Sequence, residues 1–143
     1  MTDQEETEKV PVELKAIIDK YAGDEGIQIS DIEGLIPITV KTRYSEYVII
    51  ILEQGKRDVL LMGGVIEEKL GDGVEEKARV EGYLIGSSNP WGNALFSAVI
   101  QLGMSLEFSF EHGGETFHVK TSPIREVWLD EIKILPSDRK AVQ

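Results

Sequence analysis

From Phe96 to Phe110 the chain places an apolar residue at every second position. Phe96, Ala98, Ile100, Leu102, Met104, Leu106, Phe108 and Phe110 alternate with Ser97, Val99, Gln101, Gly103, Ser105, Glu107 and Ser109. A helix would scatter that set around its axis, whereas a pleated strand gathers it on one face. Such a run is longer than the usual strand of about 3–10 residues. A bend, bulge or turn is therefore expected near Gly103, where a missing Cβ makes it cheap. Over residues 94–102 a helix is the rival reading, because Leu95, Phe96, Val99 and Ile100 also share a helical face.

Other segments show the same short-period pattern. Residues 44–52 are β-branched and aromatic, and their near-continuous apolar character predicts a strand buried on both faces. Glu53-Gln54-Gly55-Lys56 reads as a hairpin turn, and Asp58 to Met62 as the return strand, stopped by Gly63-Gly64. Residues 78–85 alternate in part and read as a strand. Glu111 to Glu115 reads as a hairpin loop, followed by a return strand over 116–121. Ser122-Pro123 punctuates, a last strand covers 125–130, and Ile132 to Leu135 extend it. Ile27-Gln28-Ile29 reads as a short strand, and Pro37 demotes residues 35–40 to an edge or a strand start. Residues 65–77 fit either a short helix or a polar hairpin closing on Asp72-Gly73.

One helix precedes the strands. Leu14, Ile17, Ile18 and Tyr21 recur at helical spacing behind Pro11, and Gly23 stops the run, so a helix is expected over 12–22. Residues 1–10 read as an acidic flexible tail and 136–143 as a second tail. Between them no linker separates two cores, so 11–135 reads as a single domain, a normal size for 143 residues. Hairpin spacing dominates and strand–helix–strand alternation is missing. The expected fold is mainly β: a small antiparallel β-barrel first, a two-sheet sandwich second, with about seven or eight strands and the N-terminal helix.

Composition removes several functions. The chain has no Cys, which excludes disulfides, thiolate catalysis, Cys-type zinc sites and iron–sulfur clusters. It fits a reducing compartment, and the expected location is the cytoplasm. Residues 1–9 lack the basic and apolar regions of a secretory signal. The formal charge is −11, and no Lys/Arg cluster exceeds a pair, which argues against nucleic-acid binding. Residues 1–34 carry ten acids and three bases, so −7 of the charge lies there. Residues 82–110 carry a single charge, Glu107. The apolar part of that stretch is too short and too interrupted for the ~20 apolar residues of a membrane span.

Residues 86–93 (GSSNPWGN) read as the clearest loop. Ser87, Ser88, Asn89 and Asn93 supply polar groups, Trp91 a stacking face, and the glycines close backbone approach. That set makes Ser87, Ser88, Asn89, Trp91 and Asn93 the candidate ligand-binding residues. The bland reading is a loop that satisfies its own backbone, with Trp91 plugging a barrel end. Ser87 and Ser88 do not form a nucleophile elbow, which needs a Gly two residues on. His112 and His118, with Glu111 and Glu115, are weak candidates for a metal, and the histidines would not face each other across the turn. No nucleotide fingerprint occurs and no cofactor is expected.

The missing catalytic set, the acidic leading segment and the many strand edges point to a non-enzymatic module. It would act by protein interaction or self-assembly, with homo-oligomerisation through an edge strand. The alternative is a small-molecule-binding or enzymatic barrel with its site at residues 86–93.

Overall fold

The computed structural model describes residues 19–20, 24–71, 78–91 and 94–136. Of the helix expected over 12–22, Asp19 and Lys20 are described and helical. The rest of it lies outside the described residues, as do the expected N-terminal tail and, beyond Pro136, the C-terminal one.

Six strands close an antiparallel barrel, so the barrel and not the sandwich is the fold. They are β2 (Pro37–Thr42), β3 (Glu46–Ile51), β4 (Asp58–Gly63), β5 (Arg79–Ser88), β8 (Ser105–His112) and β9 (Glu115–Leu129). Each pairs with the next in that order, and β9 returns to β2. Closure leaves these strands without a free edge along most of their length. Pro37 opens β2 at a position where no ladder donor is needed.

Alternation decides which side chains fill the interior. Ile38 and Val40 of β2, Ile49 and Ile51 of β3, Val59 and Leu61 of β4, and Leu106 and Phe108 of β8 are fully buried. Tyr47 meets Phe108 edge to face, with ring centroids 5.2 Å apart. Strand β3 corrects one expectation. Val48 and Ile50 are only half-buried, because a single-walled barrel gives each strand one inner face and no second layer covers the other.

Both barrel ends are covered. After Gly63 the chain turns into α1 (Gly64–Leu70), which lays Ile66 over one end. The Val65 amide donates to the Tyr47 hydroxyl at 3.1 Å. The helical reading of residues 65–77 therefore holds for α1, and residues 72–77 lie outside the described residues. At the other end β1 (Gly26–Gln28) pairs with β7 (Val99–Gln101), and a 3-10 turn follows at Ile29–Asp31. Ile27, Ile29, Ile32 and Ile100 are buried there.

Two strands run differently from expectation. Ser122-Pro123 does not end a strand: β9 continues through it to Leu129. A register shift against β8 inserts an extra β9 residue at this point, a bulge that bends the strand and tolerates proline. Ile132 to Leu135 do not extend β9. They form β10, which folds back and pairs with it antiparallel. The Gly113-Gly114 turn is as expected, a two-residue hairpin with both φ positive, at 62° and 80°.

The alternating run breaks twice, and the described residues hold ten strands rather than seven or eight. Gly103, with φ 80°, makes the expected turn. Ala98, with φ 59°, makes a second that the sequence did not signal. Its amide donates to Ile85 of β5 and its carbonyl accepts from Ile29, so one residue transfers the chain from one sheet to the other. The result is β6 (Leu95–Ser97), a separate three-residue strand, ahead of β7. Residues 94–102 are therefore strand and turn rather than helix.

Candidate functional site

The loop expected at residues 86–93 begins later than expected. Gly86, Ser87 and Ser88 are the last residues of β5, paired with β6 on one side and β8 on the other. A register shift against β8 sets a bulge there, and Gly86 carries φ 150°. A Cβ on Gly86 would run into the Phe96 carbonyl, so this glycine is what lets β6 lie against β5. The turn proper spans residues 89–94, and Gly92 and Asn93 lie outside the described residues.

The candidate polar groups are mostly engaged by the fold itself. The buried Ser87 hydroxyl donates to the Val99 carbonyl at 2.7 Å and accepts from the Gln101 amide at 3.1 Å. It ties β5 to β7. Asn89 Oδ1 accepts from the Trp91 amide at 2.9 Å, and the Asn89 carbonyl accepts from Lys120 Nζ at 3.1 Å. Trp91 plugs nothing: its side chain is 91% exposed.

Ser88 points to Glu107, which the sequence marks only as the one charge in residues 82–110. The Ser88 hydroxyl is buried without a well-formed hydrogen bond, and the group it acts on is the Glu107 carboxylate. That hydroxyl is the largest influence holding the Glu107 carboxyl below its usual range. The His118 hydrogen bond and the charges of His118 and Lys120 act in the same direction, and burial opposes them. His118 Nε2 lies 2.6 Å from Glu107 Oε1. The two-residue turn contains the missed signal. Counting back from it sets Glu107 opposite Lys120 and His118 opposite Ser109, one diagonal step from the carboxylate.

This cluster is not a nucleophile-activating triad, because the carboxylate stands between serine and imidazole instead of behind the imidazole. His112 pairs with Glu115 at the hairpin tip, away from His118. Among the described residues no group of three or more His, Asp or Glu side chains could hold a metal. An open cleft of about 330 Å³ lies elsewhere on the barrel wall, lined by Asp58, Glu81, Tyr83, Ser109, Glu111 and Thr116. A second, of about 430 Å³, is lined by Asp24, Glu25 and residues of the paired strands β1 and β7. Neither involves residues 86–91.

The hairpin arm formed by the turn and β6 is the unusual surface. All three β6 residues are exposed; Leu95 is 48% and Phe96 50% exposed. Strand β6 ends the strand order beyond β5, with no neighbour on its other side among the described residues. Asn89 donates to the Ala94 carbonyl and Ala98 donates to Ile85, so positions 94 and 98 turn their backbone toward β5. The two-residue period then turns Phe96 the same way and directs the N–H and C=O of Leu95 and Ser97 outward. Leu35, Tyr44, Leu52 and Tyr83 are exposed too, but none of them belongs to an unpaired strand edge.

The fold is a small closed antiparallel β-barrel, and its β6 arm has no strand on its outer edge among the described residues. No protein-family model, curated protein or solved structure matches the chain. Among the described residues no helix is long and apolar enough to cross a membrane.

Proposed function

We propose that the protein is a non-enzymatic interaction module that binds another protein strand along the free edge of β6. The observation that carries this is the outward row of backbone groups at Leu95 and Ser97, flanked by exposed Leu95, Phe96 and Trp91. Backbone pairing supplies affinity in this mode of recognition, and apolar side chains supply selectivity. The rival reading, a ligand site at residues 86–93, has less support. Ser87, Asn89 and the Trp91 amide are occupied within the fold, and Trp91 lines no described cavity. A chain without Cys needs no oxidising compartment, and the cytoplasm is the proposed location, open to test by cell fractionation.

The test is a photo-crosslinking amino acid in place of Phe96, with the same group in place of exposed Glu53 in the β3–β4 turn as control. Irradiation in the native cells should give a discrete protein adduct from position 96 alone. Equal adducts from both positions, or none from either, would sink the proposal.

A further inference from the structure

We infer that the partner of β6 is a second copy of this chain, paired antiparallel through β6 about a two-fold axis at Phe96. The inference rests on the proposal that the β6 edge is the contact surface, and it goes further by naming the occupant and the register.

The hydrogen-bond pattern is the first argument. Leu95 and Ser97 direct their donors and acceptors outward, one residue on either side of Phe96. A two-fold axis through Phe96 brings Leu95 of each copy opposite Ser97 of the other. Each such pair exchanges both N–H···O bonds, so the symmetric pairing closes four bonds and leaves neither residue unsatisfied. Phe96 meets its own copy as a non-hydrogen-bonded pair, the closer of the two pair types, where aromatic side chains gain most from contact.

Charge is the second argument. The net charge of −11 repels copies of the chain overall, with −7 of it in residues 1–34. Residues 82–106 carry no charged side chain, so copies can approach here without stacking carboxylates. The charged side chains bordering this part of β5 are already engaged, Arg57 with the Ile85 carbonyl at 2.9 Å. Glu107 is engaged by His118, and Lys120 by the Asn89 carbonyl. The neutral apolar strand of the same chain suits this edge better than an acidic or a basic one.

The joined arms would continue the sheet from one barrel into the next in the order β8, β5, β6, β6, β5, β8. With a three-residue strand and three large side chains per copy, the buried area falls toward the low end for specific interfaces, below about 1,200 Å² in total. A weak dimer that responds to concentration is expected, rather than a permanent one.

The experiment uses the full chain. Sedimentation equilibrium should show the mass rising from 15.9 kDa toward twice that value as concentration increases from about 10 μM to about 1 mM. Phe96→Lys, which sets two ammonium groups across the axis, should raise the dissociation constant at least about tenfold. Ser97→Pro, which removes an outward donor and no bond within the barrel, should do the same. The chain has no Cys, so Phe96→Cys gives a single thiol. At the proposed register two such thiols lie within disulfide reach, and mild oxidation should link this variant much faster than Glu53→Cys. Dimers that form without preferential linkage through Phe96→Cys overturn the register. A monomer at every concentration overturns the second-copy inference. If the crosslinker at position 96 still captures a different protein, the interaction module survives that failure; if it captures nothing, both fall.

Discussion

Strands β6 and β8 come from the same alternating run and meet opposite fates. Phe96 and Phe108 occupy equivalent phases of the pattern, yet Phe108 is fully buried against Tyr47 and Phe96 is half exposed. Strand β8 has neighbours on both edges, β5 and β9, and its inner face looks into the barrel. Among the described residues strand β6 has one neighbour, and all three of its residues are exposed. Alternation therefore defines a face without saying what lies across from it.

Paired substitutions should make this difference measurable by chemical denaturation. The largest effect is expected from Phe108→Ala, a loss of about 3–5 kcal/mol, because the cavity it leaves is enclosed on all sides. Phe96→Ala should change stability by less than about 0.5 kcal/mol in the monomer. Equal losses would mean that β6 is covered in the isolated chain.

Next comes the attachment of the arm. Gly86→Ala should cost about 2 kcal/mol, since it combines a φ of 150° with a Cβ aimed at the Phe96 carbonyl. It should also speed hydrogen exchange at the Phe96 amide, which would show β6 lifting from β5. Gly103→Ala meets open space and should cost only the backbone strain, about 1 kcal/mol.

Ser87→Ala should follow, at about 1–2 kcal/mol, because both bonds that tie β5 to β7 pass through its hydroxyl. Ser88→Ala removes no closed hydrogen bond and should be milder. Its signature is electrostatic: the Glu107 carboxyl should titrate closer to the ordinary carboxylate value when followed by NMR.

The smallest effect is the pH dependence of that carboxyl. Its folded value is depressed, so its contribution is complete above the ordinary unfolded value of about 4.3 and is lost as pH falls through the lowered folded value. Glu107→Gln should flatten the stability profile in that acid window by well under 1 kcal/mol. A profile identical to the wild type would show that the lowered Glu107 carboxyl contributes nothing to stability.

Much of the barrel was legible in the sequence because local signals and global fold agree. The Gly113-Gly114 turn, the Gly103 turn and the return strand after Gly55 each follow from residues within a few positions of one another. The mistaken readings depended on distant partners. Pro123 read as a strand end because the bulge that accommodates it exists only against β8. Residues 44–52 read as doubly buried because apolar content cannot report whether a second layer is present. Of the candidate site, Ser87, Ser88 and Trp91 were visible as residue types, but their roles were not. Ser87 turned inward to bridge strands, and Trp91 turned out to solvent.

The sequence by itself determined the β class, the hairpin turns and the phase of each strand, because pleat and turn chemistry act over a few residues. It also set the neutral stretch in an acidic chain. Tertiary structure alone decided that the sheet closes, that β5 is shared between β6 and β8, and that Ala98 leaves a three-residue strand whose outer edge has no neighbour among the described residues. Closure and edge exposure depend on which distant strands meet, and one chain segment carries no record of its absent neighbour.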